Sequence, residues 1–145
     1  MSELKPGDLV EIEKDGRFFY VQVTHLHASY PELIRGLEGH CALPARDPAA
    51  IASQATRFVV ASSLSAALAS GALQGKVLGN FEVPQADCAF PLFKMPITDR
   101  FDNFLYWWFW DGDSLTLEPP PDVDTTILPV RAVVPTDKLT DLFEI

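Results

Sequence analysis

The stretch from residue 104 to 113 reads FLYWWFWDGD, and it constrains the fold more than any other part of the chain. Seven apolar or aromatic residues run without interruption and include all three tryptophans of the protein. Under the two-residue period of a β-strand they point to both faces of a sheet, which is typical of a strand covered on both sides. We therefore predict a central strand over 104–110, a turn at Asp111-Gly112 and a returning strand over 114–118.

A second hairpin is predicted near the start of the chain. Residues 9–14 alternate between apolar and polar, and this alternation places Glu11 and Glu13 on the exposed face of the first strand. Asp15-Gly16 favours the positive φ angles of a tight turn, so residues 17–26 are expected to return antiparallel. A third strand is predicted over 32–37, which makes the opening third of the chain a β-meander.

Short helices are predicted around two capping signals. Asp47 followed by Pro48 is typical of a helix start, because proline at the first helical position loses no hydrogen bond. Ser62 or Ser63 is expected to cap a second helix that Gly71 ends, after a strand over 57–61.

The last third of the chain is predicted to contain one more strand and a terminal helical turn. Pro91 and Pro96 bracket a stretch that we expect to be irregular and unable to form a central strand. Residues 118–124 are expected to form an exposed proline-stiffened loop, 127–134 a last strand, and Thr136 the cap of the terminal turn. The predicted fold is a single α+β, mainly β domain over 1–145, either a partly open SH3-like barrel or a strongly bent antiparallel sheet with two or three short helices.

Composition excludes several classes of protein. The chain has 145 residues, and its long apolar run is far shorter than the roughly 20 residues needed to cross a bilayer. Residues 1–7 lack the apolar segment of a secretory signal, so we expect a cytoplasmic protein without a membrane partner. Cys41 and Cys88 are then expected to be buried thiols, with a disulfide as the alternative.

The charge balance indicates what kind of partner the chain attracts. Twenty acidic and eleven basic residues give a formal net charge of −9, which disfavours nucleic acid because phosphate must be neutralised by Lys and Arg. Such a surface attracts a basic partner. The alternative is that the charge only keeps the protein soluble.

No catalytic motif is present in the sequence. There is no GxSxG elbow and no phosphate-binding loop with a Lys-Ser/Thr pair. His25 and His27 are spaced so that both side chains lie on one face of a strand, but no further ligand is specified by spacing. We expect a non-catalytic protein without a cofactor; the alternative is a small-molecule or metal-dependent enzyme that uses the barrel interior and these two histidines.

The end of the aromatic run is the strongest candidate for a binding surface. One interpretation is that all three tryptophans are interior. The other is that the first residues of the run pack in the core while Trp110 reaches the rim beside Asp111 and Asp113, a combination typical of an interface that receives a basic surface. Asp122 and Asp124 in the following loop, with Glu11 and Glu13, complete the predicted partner-binding set.

The chain also resembles a known family along most of its length. The matching segments are KPGDLVEIEKDGRFFYVQV, YPELIRGL, SLSAALASGALQGKVLGNFEVP, FPLFKMP and WWFWDGD. In this order they resemble the immunity protein 26 family of bacterial polymorphic-toxin systems. The resemblance implies a mainly β fold and a function in neutralising a cognate toxin by binding it; the chain departs from the family in residues 41–56 and in its proline-rich loop. The oligomeric state is left open.

Overall fold

The protein has an α+β, mainly β fold, as the sequence predicts. A computed structural model describes residues 4–27, 31–44, 46–85, 91–118, 124–130 and 133–144. The chain divides into two compact units, Met1–Cys88 with Val133–Ile145, and Ala89–Ala132. The prediction of a single domain stays a prediction. Within the described ranges, no helix is long and apolar enough to cross a membrane.

The first unit is built on five strands and two short α-helices. The elements are β1 Asp8–Lys14, β2 Arg17–His25, β3 Glu32–Gly36, α1 Pro48–Ala52, β4 Phe58–Ser62, α2 Leu64–Ser70 and β5 Gly75–Asn80. The strands form an antiparallel sheet with the order β4-β3-β2-β1-β5, and the helices precede and follow β4 in the chain. The predicted meander is therefore confirmed, and β1 lies between β2 and β5.

The β1–β2 hairpin forms where the sequence predicts it. Asp15 and Gly16 have φ angles of 53° and 76°, the left-handed conformation that a tight hairpin turn requires. The register pairs Ile12 with Phe19 and Val10 with Val21. Those side chains lie on one face of the sheet because paired residues in an antiparallel ladder point the same way.

Both faces of this sheet are covered, and β2 contributes to each. Phe19, Val21 and Val23 belong to a cluster that also contains Leu139 and Phe143 from the terminal helix. Tyr20 points to the other face and packs in a second cluster, whose buried members are Leu9, Tyr20, Leu37, Ile51 and Ala52. A strand buried on both faces cannot show simple alternation, which explains the continuous FFYVQV sequence.

A buried arginine links the sheet to the segment after α1. Arg35 of β3 is fully buried, and its Nε donates to Oε1 of Gln22 at 2.8 Å. Its terminal nitrogens donate to the backbone oxygens of Ala52 and Gln54 and to the hydroxyl of Thr56. Because buried polar groups are costly unless they are hydrogen-bonded, these contacts stabilise the conformation of the segment from Ala52 to Thr56.

The two α-helices begin near the predicted residues. Asp47 caps α1 by accepting from the backbone N–H of Ala50. At α2 the cap residue Ser63 makes no side-chain capping hydrogen bond; the carboxylate of Glu32 instead accepts from the backbone N–H groups of Leu64 and Ser65 at 3.2 and 3.3 Å. The first turn of α2 is therefore capped by a side chain from β3. Gly71 ends α2 with a φ angle of 80°, as predicted.

The second unit is a three-stranded antiparallel sheet with the order β6-β7-β8. Its strands are β6 Phe93–Thr98, β7 Phe104–Trp110 and β8 Leu115–Thr116. The prediction of a central strand in the aromatic run is confirmed, while β8 is shorter than predicted. The expectation of an irregular stretch around Pro96 is wrong, because Pro96 pairs with Trp107; β6 is an edge strand, where a missing N–H is tolerated.

The predicted last strand over 127–134 is also wrong for the described residues 127–130 and 133–134; residues 131 and 132 lie outside the described part of the chain. Residues Thr125–Ile127 form a 3-10 helix, and Val130 and Val133 make isolated parallel bridges to Lys94 and Ala61. The predicted terminal turn is a 3-10 helix over Thr136–Glu144. The proline loop and Cys88 lie outside the described residues, apart from the loop's ends at Glu118 and Asp124.

Candidate protein-docking surface

The turn between β7 and β8 is held by the carboxylate of Asp111. Its Oδ1 accepts from the backbone N–H groups of Asp113 at 3.0 Å and Ser114 at 2.9 Å. The hydrogen bond from the Ser114 N–H, followed by that from Asp113, holds the pKa of Asp111 below its ordinary value. Asp111 therefore carries its charge at neutral pH while it fixes the shape of the turn.

The residues that follow the turn form an exposed surface of mixed character. We call residues 111–118 the docking segment; all of them except Gly112, which is half-buried, are exposed. It combines the acidic side chains of Asp113 and Glu118 with the apolar side chains of Leu115 and Leu117. Acidic groups beside exposed leucines give this segment both charge and apolar area for contact with another molecule.

Trp110 does not reach the rim as predicted. Only 6% of its surface is exposed, and its ring centroid lies 5.8 Å from that of Phe93. The register explains the burial, since Trp110 is paired with Phe93 on β6 and with Leu115 on β8. The indole is therefore a packing group of the second unit and is not available as an anchor.

The gradient of burial along β7 is the reverse of the prediction. Phe104, Leu105 and Tyr106 are exposed, whereas Phe109 and Trp110 are buried. The exposed aromatic end lies next to the turn between β6 and β7, where Phe101 is also exposed. The sequence did not predict this exposed end, because a continuous apolar run does not show which of its residues are packed against other parts of the protein.

The two predicted glutamates of β1 have different environments. Glu11 is only 6% exposed; its Oε2 accepts from the Tyr20 hydroxyl at 2.9 Å, and its Oε1 lies 4.0 Å from Nζ of Lys76. The prediction that Glu11 lies on an exposed face is therefore wrong, because that face is covered by the cluster around Tyr20. Glu13 is exposed, as predicted.

The predicted acids after the proline loop are described only in part. Asp122 lies outside the described residues. Asp124 is exposed and caps the 3-10 helix, accepting from the backbone N–H and the hydroxyl of Thr126. These hydrogen bonds, the hydroxyl contribution first, lower the pKa of Asp124, and the positive charge of Lys94 adds to the effect. Among the predicted residues of the second unit, the structure joins Asp111 and Asp113 in one turn and places Asp124 on a separate element.

Among the residues that the structure describes, no further metal ligand joins the pair His25 and His27. His25 ends β2, and its Nδ1 lies 3.0 Å from the hydroxyl of Thr24, while His27 follows the strand. Across the ranges that the structure describes, no three His, Cys, Asp or Glu side chains are placed to hold a metal ion. Burial, followed by the charge of Glu38, raises the pKa of the Cys41 thiol, which disfavours the reactive thiolate.

Two clefts in the first unit offer little catalytic chemistry. One has a volume of about 400 Å³ and lies between α1 and the segment after β5, with Ser53, Glu82 and Gln85 as its polar lining residues. The other, of about 290 Å³, has Glu13, Asp15, Asp137 and Lys14 as its charged lining residues. Neither lining pairs a nucleophile with a histidine base.

Comparison with known proteins adds no relative. No family model matches the chain, and no curated protein or solved structure is significantly similar to it.

Proposed function

We propose that this chain is a non-catalytic immunity protein that binds and neutralises a cognate bacterial toxin with a basic surface. In this proposal the docking segment is part of the interface. The toxin is recognised by charge and shape, and it is inactivated because its own surface is covered. The immunity assignment depends on the sequence resemblance given above.

The structural observation that supports the proposal is the exposed, mixed acidic and apolar character of the docking segment. In the docking segment, exposed carboxylates lie close in sequence to exposed leucines. Such a surface is suited to a partner protein with an apolar patch that is surrounded by basic side chains. Asp111 holds the turn through two backbone hydrogen bonds, so little conformational freedom is lost there when a partner binds.

The charge distribution supports a basic partner. From residue 89 to 132 the sequence contains seven acidic and three basic residues, a net formal charge of −4. Negative potential of this kind speeds the encounter with a positively charged protein and weakens as salt is added, because the Debye length falls to about 8 Å at physiological ionic strength. A toxin that acts on nucleic acid would itself need a basic surface.

The test uses the protein encoded by the gene adjacent to that of this chain, with binding measured by calorimetry at several salt concentrations. Asp113→Asn combined with Glu118→Gln removes two exposed charges without touching the carboxylate that holds the turn. We expect binding to weaken about 10-fold at low salt, with a shallower salt dependence.

The matched control is Asp137→Asn combined with Asp141→Asn, which removes two exposed charges from the terminal 3-10 helix of the first unit. At physiological salt this control is expected to retain wild-type affinity to within about 2-fold, because charges that do not contact the partner are screened there. Failure of the wild-type chain to bind the adjacent gene product, or an affinity that does not change with salt, contradicts the proposal.

A further inference from the structure

The docking segment lacks an aromatic anchor, and the structure offers one at the opposite end of β7. Tight interfaces depend on a few large side chains, most often aromatic ones, and Trp110 is buried. Every residue from 100 to 106 is exposed, and Phe101 is 72% exposed. We call Phe101, Phe104, Leu105 and Tyr106 the aromatic tip.

The turn that carries the tip is held in one shape. Oδ1 of Asp99 accepts from the backbone N–H groups of Phe101 at 2.8 Å and Asn103 at 3.0 Å, and its Oδ2 accepts from the Asn103 side chain at 3.1 Å. Asp102 has a φ angle of 65°, a conformation that non-glycine residues seldom adopt. These contacts hold the backbone that carries Phe101 in one conformation.

The tip exposes apolar groups on both faces of the sheet. The register shift between Ile97 and Thr98 makes Leu105 an extra residue in β7, and it breaks the alternation there. Phe104 therefore shares a face with Trp107, whereas Tyr106, the neighbour of Trp107, points to the opposite face. The Phe104 ring is supported by Trp107, with ring centroids 5.0 Å apart. A flat partner surface would cover only one of these faces, whereas a cleft contacts both.

The charges around the tip distinguish between kinds of partner. Asp102 is exposed, and the pKa of Asp99 is held below its ordinary value by hydrogen bonds from Asn103 and Phe101. The guanidinium of Arg100 lies 5.2 Å from the centre of the Phe101 ring. Together with the net charge of this unit, the two carboxylates disfavour an anionic membrane surface or a second copy of this acidic chain, and they favour a basic protein.

We infer that the aromatic tip inserts into an apolar cleft with a basic rim on the partner protein, and that it supplies the anchor which the docking segment lacks. This inference rests on the proposed function, because it names a second contact with the same basic partner. Phe101 and Tyr106 are assigned as anchor residues, and Phe104 and Leu105 complete the apolar surface that the cleft encloses.

The test is again binding of the adjacent gene product to the full chain, now with Phe101→Ser and Tyr106→Ser combined. The expected result is a loss of affinity of about 100-fold with an unchanged salt dependence, because apolar contact is removed and charge is kept. The matched control is Leu43→Ser, an equally exposed apolar residue in the first unit, which is expected to leave affinity unchanged. Amide spectra of each variant verify that its fold is intact.

A second measurement locates the contact directly. A photo-crosslinking phenylalanine analogue at position 101 is expected to capture the adjacent gene product, and the same analogue at position 43 is not. If the tip variant binds as the wild type does while Asp113→Asn with Glu118→Gln weakens binding, the tip inference is overturned and the proposed function stands. If the wild type binds nothing, both are overturned.

Two other outcomes overturn the tip inference alone. Crosslinking at position 101 to a second copy of this chain identifies self-association, and cosedimentation with phosphatidylcholine vesicles that Phe101→Ser abolishes identifies membrane insertion.

Discussion

β2 and β7 are both central strands of antiparallel sheets, and both carry several adjacent apolar residues, yet they are covered differently. From Phe19 to Thr24 every residue of β2 is buried, because one cluster covers each face. In β7 the first three residues are exposed and only the last two are buried. The comparison shows that a continuous apolar strand identifies a central position in a sheet but does not establish that the sheet is covered along its length.

The largest expected effect is a difference in stability between two phenylalanine variants, one on β2 and one on β7. Phe19→Ala removes a ring that is 4% exposed and packs on Phe143, and we expect the free energy of unfolding to fall by about 3–5 kcal/mol. Phe104→Ala removes a ring that is 53% exposed and contacts Trp107, and it is expected to lower the free energy of unfolding by only about 1 kcal/mol. Denaturant titration of both variants measures the difference, and equal losses would show that the exposed end of β7 is covered after all.

A smaller effect on the free energy of unfolding concerns carboxylates that accept hydrogen bonds from the backbone. The two units differ in how far along the chain those backbone groups lie. Glu32 caps α2 across a separation of 32 residues, whereas Asp99 and Asp111 bind backbone groups within four residues of themselves. Glu32→Ala is expected to lower the free energy of unfolding by about 1 kcal/mol, as loss of a helix cap does. Ser63→Ala is the control, with an expected change below about 0.5 kcal/mol, since Ser63 makes no side-chain cap. Equal effects from both variants would contradict the assignment of Glu32 as the cap.

The smallest expected effect is a local pH dependence in the second unit. Because the folded-state pKa of Asp111 is lowered, its contribution to the turn is fully present above the unfolded pKa of about 4 and is lost as the pH falls through the lower folded value. We expect the amide signals of Asp113 and Ser114 to move together in this acidic range. Asp111→Asn abolishes that movement and Asp113→Asn retains it; the opposite result would assign the turn to Asp113.

Local signals in the sequence predicted local structure well. Asp15-Gly16, Asp47-Pro48 and Gly71 each specify a backbone conformation through their own chemistry, and each acts as predicted. The expectation of an irregular stretch between Pro91 and Pro96 is wrong because an edge strand tolerates the missing N–H of proline, while the exclusion of this stretch from a central strand agrees with the edge position of β6.

The residues of the candidate surface were harder to predict because their exposure depends on distant neighbours. Glu11 alternates like a surface residue, but Tyr20 from the next strand and the cluster around it cover that face. Trp110 sits beside two exposed acids and is buried through pairing with Phe93 on β6. The exposure of Asp113 was predictable from its position at a turn, since turns lie at the surface whatever packs elsewhere.

The buried guanidinium of Arg35 restricts the number of residues in the segment that follows α1. It donates to three acceptors spaced two residues apart, on Ala52, Gln54 and Thr56. An insertion or deletion of one residue between them would leave buried N–H groups of Arg35 without acceptors. We therefore expect insertions and deletions to be tolerated before α1, around Leu43 and Arg46, rather than between Ala52 and Thr56. Leu43 and Arg46 are exposed and accept no hydrogen bond from Arg35.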